Sequence, residues 1–519
     1  MPSKSPAKNY IFHPLLFAWL PTLSLFSHNI RSTSVGQIFL PAALSITLAL
    51  LLWLLFWLFC RRTHNAAAVV SLFIFLFFSY GPARETIRFL VPVLSFSGID
   101  RLLLPFWLVL FLLGAYLIIK IRRSFYQLTM VLNIIAFCLV SLALARIALY
   151  AGKNYLGRSW RYDPDLSGAA LASFTPTDTG PAPDIYYIIL DAYARADILR
   201  DYFQFDNSEF ITYLSNKGFY LPRLTHSNYC QTCLSLASSL NMTYHHDLAA
   251  CLGPDTGNVL PLKGMIQDSR LFRFLKEHNY RIITFASGYP MTEIKDSDGY
   301  FSPGWVLDDF QGEILNRTPV PTLQYLFKLP PSRCKRILYV FDRLAQLPRQ
   351  PGPVLVFAHI VAPHHPFVFG PQGQILLTCR PDRFSDTPAN EGQRQEYIRR
   401  YIDQLIFINR QTQTLIDRIL SQSRYPPIII IQADHGPAST LDWDNPSQSA
   451  FRERFAILNA YYLPSFDYAD LYDDLSPVNT FRIVLNHYFQ TGLPLLPDES
   501  YFSPVIHPYR LTNVTSLIE

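Results

Sequence analysis

"PPIIIIQADHG", residues 426–436, decides how the outer half of this chain folds. Four consecutive isoleucines lie between two prolines and a polar Asp-His-Gly. The run is too short for a helix and apolar on both faces, so it reads as a strand buried on both sides of a parallel sheet. β-Branched side chains also suit an extended backbone. The run ends at Asp434, His435 and Gly436, which places a carboxylate and an imidazole at a strand's carboxyl end. In open α/β sheets, functional groups gather there.

The neighbouring segments repeat the pattern. "DIYYIILD" (184–191) and "GPVLVFAHI" (352–360) are short, nearly continuous apolar runs, each read as a buried strand. "SRLFRFLKEHNYRIITFAS" (269–287) reads as a helix, a turn at His278 and Asn279, then a strand. "ERFAILNAYYLP" (453–464) reads as a further strand. Helical spacing appears in 208–219 through Phe210, Tyr213 and Leu214, and in 395–421 through Ile398, Ile402, Leu405, Ile408 and Leu415. Residues 478–489 give a late helix. Alternating strands and helices predict a layered α/β domain over 184–519. A Gly-, Pro-, Ser-, Thr- and Asp-rich linker precedes it at 152–183.

The first part of the 519-residue chain has a different solvent. Five apolar runs fall near 11–27, 37–60, 66–80, 103–119 and 128–150, the third being the shortest. A bilayer core takes roughly 17–25 apolar residues per helix, so residues 1–151 read as an α-helical transmembrane bundle of about five helices. Lys4, Lys8, Arg61, Arg62, Lys120, Arg122 and Arg123 fall where one side of the membrane would lie, the cytoplasm. Arg84, Arg88 and Arg101 fall on the opposite side and weaken that signal. An odd number of spans puts everything after Tyr150 outside. The formal charge of +5 is small, and Lys153, Arg158 and Arg161 suit lipid headgroups. No basic run or RNA motif supports a nucleic-acid partner.

Three strands end in residues that carry chemistry: Asp191; His359, with His364 and His365 beyond it; and Asp434–His435. Two carboxylates and an imidazole suit Zn²⁺, Mn²⁺ or Mg²⁺. Singly, each has a plainer reading as a cap, a turn residue or an ion pair. "NYCQTCLSLASSLN" (228–241) leaves several readings open. Cys230 and Cys233 form a C-x-x-C, which suits a redox dithiol, half of a zinc site or a local disulfide. Thr232 opens a helix, either as an N-cap or as a hydroxyl beside an anion-binding helix N-terminus. Of seven cysteines, Cys230, Cys233, Cys251, Cys334 and Cys379 lie in the outer part, an odd number. Arg195 follows Asp191 by one helical turn and suits either an anion or a solvated face.

In chain order, these residues are an Asp at the first strand end, a Thr opening the next helix, "HIVAPHHP" after a middle strand and Asp-His-Gly after a late one. That order resembles the alkaline phosphatase superfamily. Within it the resemblance is to the sulfatase-like membrane branch of lipoteichoic acid synthases and lipid A phosphoethanolamine transferases. It implies an αβα sandwich of alkaline phosphatase/sulfatase type, extracytoplasmic and anchored in the plasma membrane. It implies one divalent metal ion (Zn, Mn or Mg) on Asp191, Thr232, Asp434 and His435, with Thr232 as nucleophile. His359, His364 and His365 would contact substrate. The implied activity is transfer or hydrolysis of phospho- or sulfo-esters through a covalent threonine, on membrane lipid, lipid-linked or cell-envelope glycan substrates. There are departures. Neither cysteine opens the Cys-x-Pro/Ala-x-Arg of formylglycine sulfatases, Asp191 stands where the transferases commonly carry Glu, and no histidine follows in "GPASTLDWDNPSQSAF" to complete a second metal site. The alternatives are an inactive sulfatase-fold scaffold, separable by metal content, and a thiol–disulfide oxidoreductase using Cys230 and Cys233, separable by alkylation.

Overall fold

The computed structural model describes residues 10–31, 33–91, 96–121, 125–156, 182–304, 307–349, 352–376, 387–388 and 390–518. Lys4, Lys8, Arg122, Arg123, Arg158, Arg161 and Cys379 lie outside these residues. The N-terminal apolar runs form five helices: α1 (His13–Asn29), α2 (Phe39–Cys60), α3 (Thr63–Leu90), α4 (Phe96–Lys120) and α5 (Tyr126–Leu156). Among the described residues, four stretches, Val35–Cys60, Thr63–Arg88, Gly98–Lys120 and Tyr126–Gly152, are long and apolar enough to cross a membrane. The short member is α1, at 17 residues with Pro21 inside it, and not the third run. The 28-residue α3 continues through Gly81 and Pro82 because the backbone groups released there find other partners. The Gly81 N–H donates to the carbonyl of Arg317 at 2.9 Å.

That partner belongs to a segment whose sequence reading placed it in the α/β domain. Leu307–Leu329 instead groups with the N-terminal helices. It holds two short helices, Asp309–Asn316, opened by an Asp308–Gln311 capping box, and Val320–Leu326. Phe310 and Ile314 are buried with Leu25 and Phe26 of α1. The Thr322 hydroxyl lies 3.4 Å from that of Tyr80, which donates to Asp100 at 2.9 Å.

The second unit takes the described residues of Tyr162–Val306 and Pro330–Glu519. Its sheet is built from β1 (Ile185–Leu190), β2 (Arg281–Phe285), β3 (Gly299–Phe301), β4 (Val354–Ile360), β5 (Ile428–Gln432) and β6 (Asn459–Tyr462), in the order β3-β2-β4-β1-β5-β6. All pairings are parallel except β5 with β6. Every residue of β1 is buried, as a strand covered on both faces requires. Tyr186, Ile188 and Leu190 pack with Tyr401, Leu405 and Ile408 of the helix Glu391–Gln422. Ile185, Tyr187 and Ile189 pack with Leu234 and Leu236, Leu271 and Leu275, and Phe481 and Leu485 from three helices on the other face. The result is helix–sheet–helix layering. Residues 453–464 are only partly a strand: Phe451–Phe455 is a helical turn, and β6 begins at Asn459.

Register positions the site. Within the sheet, Ile189 lies opposite both His359 and Gln432, and Leu190 opposite Ile360. Asp191, His359 and Asp434 therefore reach the same carboxyl edge on three adjacent strands.

Candidate functional site

The loops after β1, β2, β4 and β5 and a helix N-terminus meet at that edge. Thr232 begins the helix Thr232–Asn241, which is buried from Cys233 onward. The preceding turn is held by Arg454, whose guanidinium donates to the carbonyls of Cys230 (2.6 and 2.9 Å) and Gly436 (2.8 Å). The Ser235 hydroxyl donates to the carbonyl of Asp434 at 2.5 Å. Glycine is required at 436, because a Cβ there would lie 2.1 Å from the carbonyl of Glu453. After β1 the chain turns through Ala192, a non-glycine residue at φ 62°, whose N–H donates to Asp434 Oδ1 at 3.3 Å. Left-handed alanine is uncommon and concentrates at functional turns.

The side chains converge. His359 Nε2 lies 3.2 Å from Asp191 Oδ2, and His435 Nε2 lies 3.7 Å from Asp191 Oδ1 and 3.4 Å from Asp434 Oδ2. The Thr232 hydroxyl sits 3.0 Å from His435 Nε2. Asp191, His359, Asp434 and His435 are each at most 3% exposed, yet among the described residues Asp191 Oδ1 and Asp434 Oδ2 have no hydrogen-bond partner. Burying carboxylate oxygens unpaired is costly. Two triplets, Asp191–His364–His435 and Asp191–His359–Asp434, bring ligand atoms within 4.8 Å of one another. Tetrahedral bonds of ~2.0–2.1 Å imply ligand–ligand edges of about 3.3 Å, close to the separations present. The donor set fits a divalent cation.

The buried carboxylates and imidazoles shift one another's titration. Burial pushes the Asp191 carboxyl upward, but His364, His359 and His435 more than offset this and hold it well below the usual carboxylate range. Burial, and then the charge of Asp191, push Asp434 up to about 6. Burial and then Arg454 hold His435 well below the ordinary imidazole value, which keeps it neutral.

Among the three substrate-binding candidates, His359 and His364 join the triplets. His365 joins neither, and its ring packs edge-on against Phe367. Thr292 is new. Its hydroxyl donates to Ser287 Oγ at 2.8 Å, and its oxygen lies 2.8 Å from His359 Nδ1. His359 Nε2 in turn lies 3.2 Å from Asp191 Oδ2, so Thr292 and Asp191 hold the ring by its two nitrogens. Glu293 braces the same loop by accepting from the Gly288 N–H and the Tyr300 hydroxyl, both at 2.5 Å. The loop follows β2, so the strand-end rule that singled out Asp191 applies equally to it.

The cysteine readings are corrected. Cys230 and Cys233 are unbonded and buried in different apolar clusters, one on each side of the turn into the helix. Burial raises both thiols, Cys233 to about 12, so neither is a ready thiolate. The structure holds no bracing disulfide between them. Arg195 points elsewhere, pairing with both carboxylate oxygens of Asp197 and donating to the carbonyl of Thr225.

The sequence matches no family model and no curated protein. Similar solved structures include the C-terminal periplasmic domain of EcEptC from Escherichia coli in complex with Zn, at 10% identity, over 66% of this chain and 95% of that one, with a TM-score of 0.45. The integral membrane lipooligosaccharide phosphoethanolamine transferase A (EptA) from Neisseria meningitidis is similar at 12% identity, over 91% and 94%, with a TM-score of 0.38. The lipoteichoic acid synthase LtaP from Listeria monocytogenes is similar at 10% identity, over 65% and 80%, also with a TM-score of 0.38.

Proposed function

We propose that this chain is a membrane-anchored, metal-dependent transferase or hydrolase of phospho- or sulfo-esters that works through Thr232. One observation carries the reading: the Thr232 hydroxyl opens a helix beside two buried carboxylates with unpartnered oxygens and a neutral imidazole. Asp191, Thr232, Asp434 and His435 are the residues that would hold one divalent ion. Such an ion supplies Lewis-acid polarisation of the ester and lowers the pKa of the hydroxyl.

The chain's own groups do the rest. Backbone N–H groups at the start of Thr232–Asn241 face the anionic group. Thr232 Oγ attacks phosphorus or sulfur, its proton passes to an imidazole, and the bond to the leaving oxygen breaks. That oxygen takes a proton from His359 or His364, both in reach of Asp191. An acceptor hydroxyl, from water or a glycolipid, then attacks the threonine ester and gives its proton to the histidine that protonated the leaving oxygen; the bond to Thr232 Oγ breaks and that oxygen takes back the proton held by the first imidazole. The substrate class we assign is a membrane lipid, lipid-linked or cell-envelope glycan ester, and the α/β unit lies on the extracytoplasmic side. The spans that hold the chain at a bilayer support the first assignment, and the arginines and lysines after α2 and α4 the second.

The test is peptide mass analysis after incubation of the full-length protein with membrane lipids. A phosphate- or sulfate-containing adduct on Thr232, absent in Thr232→Ala, is expected, together with bound divalent metal. Protein that binds no divalent metal, with Asp434→Ala behaving as wild type, would defeat the reading.

A further inference from the structure

Residues 307–329 leave the α/β unit's stretch of chain and belong to the helical unit. Their inner side is occupied: Phe310 and Ile314 on α1, the Arg317 carbonyl on Gly81, and Thr322 on Tyr80. Their other side is apolar and open. Leu323, Leu326, Phe327 and Leu329 are 37, 54, 71 and 52% exposed, with Lys328 among them. Elsewhere in the described residues beyond 156, exposed large apolar side chains occur singly, apart from the pair Val505–Ile506. A grouped apolar patch marks a contact surface.

Position in the helical unit identifies the contact. The segment packs where α1 ends, through Leu25 and Phe26. It also packs beside Tyr80, whose neighbours Ile99 and Leu103 lie in the first turns of α4. It is therefore at one end of the bundle, level with the boundary of apolar helices whose own leucines and phenylalanines are exposed, Leu102 and Phe106 among them. An aromatic residue, leucines and a lysine at that level make an interfacial anchor. We propose that residues 319–329 lie in the membrane interface, with Leu323, Leu326, Phe327 and Leu329 among the acyl chains and Lys328 at the lipid phosphates.

The full-length protein, in vesicles of phosphatidylethanolamine and phosphatidylglycerol, tests this with benzoylphenylalanine in place of Phe327 and, separately, of Tyr425, an aromatic residue 43% exposed in the α/β unit. After irradiation, the peptide carrying position 327 should gain the mass of one phospholipid, and the peptide carrying 425 should not. An unmodified 327 peptide, equal lipid labelling at both positions, or a crosslink from 327 to another protein segment or a second copy would each overturn the proposal.

Discussion

Thr292 shows how one hydroxyl sets the character of a buried histidine. Its oxygen lies 2.8 Å from Nδ1 and holds the ring of His359 with Nε2 against Asp191 Oδ2 at 3.2 Å. Thr292→Val keeps the shape and removes the hydroxyl. We expect it to lower the rate at which the Thr232 adduct forms by about 10-fold or more, part of the ~10²–10⁴ that a positioned acid or base supplies, with divalent-metal binding unchanged. Thr292→Ser should restore the rate, with little change in melting temperature in either variant. Mass analysis of the Thr232 adduct over time reads the rate, calorimetric titration reads the metal, and a wild-type rate in the valine variant would show that Thr292 only packs.

His245 bears on stability instead. It is fully buried, donates from Nε2 to the Leu234 carbonyl (2.8 Å), and burial lowers its pKa to about 4. The folded state thus favours the neutral ring. Stability is fully present above the unfolded value near 6.5 and is lost progressively as pH falls toward 4, by roughly 3 kcal/mol in all. Thermal melts at about pH 7.5, 6 and 4.5 should show this fall, and His245→Gln should flatten it; an unchanged slope would place the acid sensitivity elsewhere. At this scale Asp191, Thr232, Asp434 and His435 were legible because each sits where a strand stops or a helix starts. Thr292 and Arg454 were not, since their importance lies in contacts to residues 67 and 224 positions away.

Among elements, the buried strands were the most legible, because four to six consecutive β-branched and aromatic residues admit few other structures. The helical turn Phe451–Phe455 was missed because its pattern is that of a strand. Hydrogen bonds decide it: Glu453 accepts from the Ser439 N–H and the Thr440 hydroxyl, and Arg454 reaches the loop before Thr232. The length of α3 was missed because Gly-Pro ordinarily ends a helix. The Arg317 carbonyl that takes the Gly81 N–H is 236 residues away in sequence. Gly81→Ala tests that joint. Its Cβ would lie 2.3 Å from the Asn316 carbonyl oxygen and 2.6 Å from Arg317 Cα, backbone that cannot swing aside. Overpacking of this kind costs about 1–3 kcal/mol, against the ~1 kcal/mol that alanine gains over glycine in a helix. Hydrogen exchange should therefore show faster exchange across 309–326 while β1, β4 and β5 keep their protection. Unchanged exchange at 309–326 would mean the segment is held by its apolar contacts alone.

For the whole molecule, the bilayer half and the layered half were legible from composition alone, since the two solvents demand opposite surfaces. The interruption was not. Nothing in the local sequence of 307–329 distinguishes an amphipathic piece of an α/β domain from one that packs on membrane helices, because both need one apolar face. The consequence concerns the α/β unit in isolation. A fragment spanning 182–519 retains the whole sheet and the convergent site, but carries Phe310 and Ile314, buried only with α1 and its neighbours, beside the exposed Leu326 and Phe327. Such a fragment should self-associate in detergent-free buffer. Replacing 307–329 by a short Gly-Ser linker should make it monodisperse by light scattering while it still binds divalent metal through Asp191, Asp434 and His435. The flanking residues 304 and 330 both belong to the α/β unit. If the deleted fragment aggregates as readily as the intact one, or loses its metal, the segment is part of the α/β unit's own core and the division of the chain is wrong.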